Sequence, residues 1–94
     1  MNRTRAELSS PQAEDEAFLL GMLLAAAHLY TELPNLHPLD FSVPAHRLIW
    51  KALVGLAYAE VPPSVQAVGR WLAARGKLKQ AGGKEYLERL VRRE

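Results

Sequence analysis

Apolar residues along this chain recur at steps of three and four, and Pro or Gly breaks the pattern at regular points. Phe18, Leu19, Met22, Leu23 and Ala26 form one such series, and Leu20, Leu24 and Ala27 widen it until most of the circumference is apolar. This predicts a helix central to a core or an interface. Ser9 and Ser10 precede Pro11, which suits a first helical turn, and Glu14, Asp15 and Glu16 then put negative charge near the positive end of the helix dipole. The helix is therefore expected to start at about Pro11, with residues 1–10 as a flexible N-terminal segment and 11–94 as one helical domain. Gly21 inside it costs about 1 kcal/mol relative to alanine, which points to the close approach of another backbone.

A short helix over His28–Leu33 is expected next, ended by Pro34, with Pro38 keeping the following loop irregular. In that loop Asp40 is suited to cap the next helix, with Ser42 competing for the role, and Phe41 plugs the core. A helix from about Val43 to Tyr58 should turn Leu48, Ile49, Ala52, Leu53, Leu56 and Ala57 inward. Trp50 falls on another face, where it serves either as a partner contact or in core packing. Pro62-Pro63-Ser64 opens a short amphipathic helix with Ser64 as N-cap and a stripe of Val65, Val68, Trp71 and Leu72. Gly76 supplies a left-handed cap at its end, and Leu78 folds back. The last helix follows Gly82-Gly83 and packs Tyr86, Leu87, Leu90 and Val91. No strand-like alternation occurs. The fold class is all-α, a compact bundle of about five to six short helices.

Composition narrows this reading only slightly. Ninety-four residues, 49% hydrophobic and 23% charged, make one small domain that folds. There is no cysteine, which excludes disulfides and thiolate zinc sites and suits a reducing compartment. No signal peptide or membrane span is evident, so a cytoplasmic protein with no membrane partner is expected. Charge is uneven: Lys and Arg number four against seven acids in residues 1–60, and eight against three in residues 61–94. Arg70, Arg75, Lys77 and Lys79, around Gly-containing turns, are either phosphate-binding candidates with weak, non-specific nucleic-acid affinity or a solvated basic face.

Catalytic chemistry is hard to find. There is no phosphate-cradling loop, no dinucleotide fingerprint and no nucleophile with an obvious base, so no catalytic residue, metal or cofactor is expected. His28, His37 and His46 lack metal-ligand spacing, and the ring of His46 is read as satisfying a neighbouring backbone group.

Three stretches carry a resemblance. Leu36-His37-Pro38-Leu39-Asp40-Phe41, His46-Arg47-Leu48-Ile49-Trp50 and Gly82-Gly83-Lys84-Glu85-Tyr86-Leu87, in that order, resemble the N-terminal domain of DnaB-type replicative DNA helicases. Leu20-Gly21 and the acids Glu14-Asp15-Glu16 match that family's first helix in part, and the resemblance covers residues 11 to about 90. It implies a non-catalytic domain that helps to assemble the hexamer collar and meets primase or a helicase loader in DNA replication. Apart from the resemblance, the broad apolar arc of Phe18 to Ala27 gives an expectation of weak self-association, and Trp50 and Trp71 are partner-binding candidates because buried aromatic anchors carry most interface energy. The parent of such a domain is an ATP-dependent helicase. The alternative is a free-standing nucleic-acid-binding protein using its basic C-terminal half.

Overall fold

The computed structural model describes residues 5–25 and 36–92, with side chains described from residue 12 onward. Among the described residues there are four α-helices and one 3-10 turn, and no strand: α1 (Arg5–Ala25), the turn (Pro38–Asp40), α2 (Pro44–Tyr58), α3 (Val65–Ala74) and α4 (Gly83–Arg92). Against the five to six helices expected, the described residues hold four and a turn. One of those expected, over His28–Leu33, lies outside the described residues. No described helix is long and apolar enough to cross a membrane.

α1 begins at Arg5, six residues ahead of Pro11. Arg5-Ala6-Glu7-Leu8 are strong helix formers and favour the extension, against the lost donor and ring crowding of Pro11 inside it. This longer start puts Glu14, Asp15 and Glu16 in mid-helix, away from the dipole end they were expected to serve. The buried face is also rotated from the expected one. Ala17, Leu20, Leu23 and Leu24 are inside, whereas Phe18 is 54% and Met22 37% exposed.

α2 follows Pro44, which occupies the first turn. Its buried residues are His46, Ile49, Trp50, Ala52, Leu53 and Leu56. Ala57 is exposed and Leu48 only half-buried, so the apolar arc is centred nearer Trp50 than the sequence pattern suggested. The ends of α3 match their sequence signals. The Ser64 hydroxyl accepts the Ala67 N–H at 3.0 Å, and Gly76 takes φ +70°. Beyond the helix the Gly76 N–H reaches the Ala73 carbonyl at 3.0 Å and the Lys77 N–H the Leu72 carbonyl at 2.8 Å, a Schellman closure.

The chain pairs its first helix with its last: α1 packs on α4, α2 on α3, and α3 on α4. At the α1–α4 crossing, a Cβ added at Gly21 would overlap the Leu90 carbonyl oxygen. The close backbone approach expected at Gly21 is present. Gly21→Ala should therefore destabilise the domain by about 1 to 3 kcal/mol, although helix propensity alone favours alanine by about 1 kcal/mol. A urea midpoint that rises in this variant would show that the crossing yields freely.

Candidate functional site

The landmarks that carried the resemblance meet at one place. Glu16 on α1 shares a face with Leu20 and Leu23 and is 6% exposed, so its carboxylate points into the bundle and needs partners. It finds them on the segment entering α2. Oε2 accepts the Ser42 N–H at 2.7 Å and the Ser42 hydroxyl at 3.0 Å, and Oε1 lies 2.8 Å from His46 Nδ1. The other ring nitrogen, Nε2, is 2.6 Å from the Tyr86 hydroxyl on α4. One polar chain thus ties α1, the turn region, α2 and α4 together.

Burial pushes the Glu16 carboxyl up, but hydrogen bonds from His46, from the Ser42 backbone and hydroxyl and from the Val43 backbone outweigh it. The net value lies below the ordinary 4.5. An ionised carboxylate only accepts, so Nδ1 of His46 carries a proton and donates to it, while Nε2 pairs with the Tyr86 hydroxyl. The His46 ring is satisfied by two side chains rather than by a backbone group. No buried side-chain polar atom among the described residues lacks a partner.

Tyr86 is seated by its own turn. Gly82 takes φ +101°, and a Cβ there would come within 2.7 Å of the tyrosine side chain. The Tyr86 ring also stacks on His46 with centroids 5.9 Å apart and planes 12° apart. A tyrosine–histidine–carboxylate order could relay a proton. Yet His46 is 2% exposed and Glu16 is covered by the core, so neither can touch a substrate. Among the described residues no three His, Cys, Asp or Glu side chains are grouped to hold a metal. His37 instead closes the 3-10 turn, its Nδ1 accepting the Leu39 N–H at 3.0 Å; His28 lies outside the described residues.

Asp40 caps backward, not forward. Its Oδ2 accepts the His37 N–H at 2.8 Å, so it closes the 3-10 turn. The cap of α2 is Val43, with no side-chain hydrogen bond, because Ser42 is committed to Glu16 and Pro44 has no N–H to satisfy. Phe41, as expected, is in the core, 5.5 Å from the Trp50 ring.

Trp50 is 1% exposed, and its indole N–H donates to the Leu36 carbonyl at 3.2 Å. Of the two readings it carried, core packing holds, because its helical position continues the buried line from His46 to Leu53. Trp71 is half-buried, with the Arg75 guanidinium 3.6 Å over its ring and its indole edge against Gly55. Arg70, Arg75, Lys77 and Lys79 are all exposed, but they do not converge. Arg70 lines an open groove of about 450 Å³ between α3 and α4 together with Lys84, whereas Arg75 covers Trp71.

The arrangement defines a small all-helical domain fastened by a buried polar chain. Residues 9–93 match the family described as DnaB-like helicase N terminal domain. The chain is 33% identical over 79 residues to the replicative DNA helicase DnaB of Mycobacterium leprae (strain TN), covering 84% of this chain and 13% of that protein. It is 32% identical over 77 residues to the DnaB of Leifsonia xyli subsp. xyli (strain CTCB07), covering 82% and 17%. The crystal structure of the N-terminal domain of DnaB helicase from Mycobacterium tuberculosis superposes with a TM-score of 0.77 at 31% identity, covering 88% of this chain and 59% of that one. This chain belongs to the DnaB-like helicase N-terminal domain family. It spans only 13% and 17% of the length of the two curated relatives.

Proposed function

We propose that the chain acts as the non-catalytic assembly and recruitment head of a replicative DNA helicase, contributing to the collar of the ring and presenting a face to primase or a helicase loader. The family match over residues 9–93 supports this reading most strongly. The polar groups at the meeting point of the family landmarks hold helices to one another, and Glu16 and His46 among them are buried. ATP use and unwinding enter this reading only through the parent helicase, and the cytoplasm is where such a parent works. Phe18 and Met22, one turn apart and exposed on α1, support weak self-association. Trp71 remains the aromatic candidate for partner contact.

Titrating the purified chain against primase, and separately against labelled oligonucleotides, at two salt concentrations tests the reading. The expected result is a primase response, with oligonucleotide affinity no better than about 10⁻⁴ M at physiological salt. Tight, salt-sensitive oligonucleotide binding lost on charge reversal at Arg70, Arg75, Lys77 or Lys79, with no primase response, would establish the nucleic-acid binder instead.

A further inference from the structure

The groove between α3 and α4 has features that no contact among the described residues explains. Val65, Gly69, Ala73 and Leu78 give it an apolar lining, and Arg70 and Lys84 bring one cation from each side. No acidic side chain lines it. Glu85 and Glu88 follow on α4 but do not reach it, and neither Arg70 nor Lys84 is held in an ion pair among the described residues.

Gly69 adds a second observation. It sits in the middle of α3, where glycine is less favourable than alanine. Unlike Gly21, no neighbour demands it: an added Cβ would meet only Leu87 Cδ1, at an ordinary 3.9 Å. The missing side chain leaves room in the groove instead. The walls are also firm, since the Schellman closure at Gly76 fixes the end of α3 and Leu78 folds back against the core.

We propose that this groove docks an acidic amphipathic helix of a partner protein, with an apolar side chain seated on the Gly69 side of α3 and carboxylates meeting Arg70 and Lys84. The proposal rests on the recruitment reading and gives it a surface. Charge complementarity selects the partner's sign, and the apolar lining selects an amphipathic segment over a bare anion.

The probe is a fluorescent synthetic amphipathic peptide of about three helical turns, with leucines on one face flanked by glutamates, and a counterpart with lysine for each glutamate. The acidic peptide is expected to bind the full chain, and Arg70→Glu or Lys84→Glu to weaken it by about tenfold. Gly69→Ala is expected to weaken binding while keeping or raising the urea midpoint, which separates filling of the groove from unfolding. Equal binding of the lysine peptide, or indifference of the acidic peptide to all three variants, would overturn the proposal. So would an oligonucleotide that displaces the peptide and is itself lost in Arg70→Glu. If primase binds the chain and the three variants leave that binding intact, the groove assignment falls while the recruitment reading stands. If the acidic peptide binds as expected but neither primase nor a loader responds, the groove assignment stands and the recruitment reading falls.

Discussion

Replacing His46 by alanine should cost about 3 to 5 kcal/mol, enough to unfold much of a small domain whose total stability is about 5 to 15 kcal/mol. The size follows from what is left behind. Glu16 keeps its two bonds from Ser42 but loses the donor on Oε1, and the Tyr86 hydroxyl loses its ring partner at 2.6 Å. A buried charge stripped of one partner is far more costly than an exposed one. Urea denaturation with unchanged slope and a large fall in midpoint is the expected readout. A pH series adds a second test. The Glu16 carboxyl is depressed in the folded chain, so its stabilising contribution is complete above the ordinary value of 4.5 and is lost as pH falls below it. Removing His46 removes one cause of the depression, so the acid-induced loss should shrink in the variant. An unchanged midpoint in His46→Ala at neutral pH would mean the polar chain contributes nothing to the fold.

Leu53→Ala should cost about 2 to 5 kcal/mol. Leu53 is fully buried in α2, in one core with Ile49, Trp50 and Leu72. Truncation deletes apolar contact and leaves a cavity that the packed helices around it relax into only in part. The exposed Ala57, once expected to share that inward face, makes the contrast: Ala57→Ser should change stability by less than about 0.5 kcal/mol. If Leu53→Ala cost no more than that, the core would have to be centred elsewhere.

What was legible in the sequence was local. Ser64, Gly76 and Gly82-Gly83 act through backbone groups a few residues away, so the chemistry that ends one helix and starts another is complete within a short window. Gly21 was legible for a related reason, since an interior glycine carries a cost that some neighbour must explain. The polar chain was not legible, because its members are 30 and 40 residues apart. Its one available signal was the position of Glu16, which falls on the buried line through Leu20 and Leu23; reading the three acids as a helix-start cluster concealed it. Trp50 was misplaced for a geometric reason. The orientation of α2 depends on what α3, α1 and the 3-10 turn present, which no window on α2 contains. Asp40 accepts from the backbone N–H behind it, closing a turn the sequence had marked only as a loop.

The contact between Gly21 and Leu90 also orders events in time. These residues are far apart in sequence, so this close backbone crossing is a long-range one and closes late. On the ribosome α2 and α3 can pair as soon as both have emerged, while Leu20, Leu23 and Leu24 of α1 wait for α4 to cover them. Until Leu90 has emerged the nascent chain carries an open apolar seam, and the domain is at greatest risk of capture by chaperones or by its own copies while α4 is still missing.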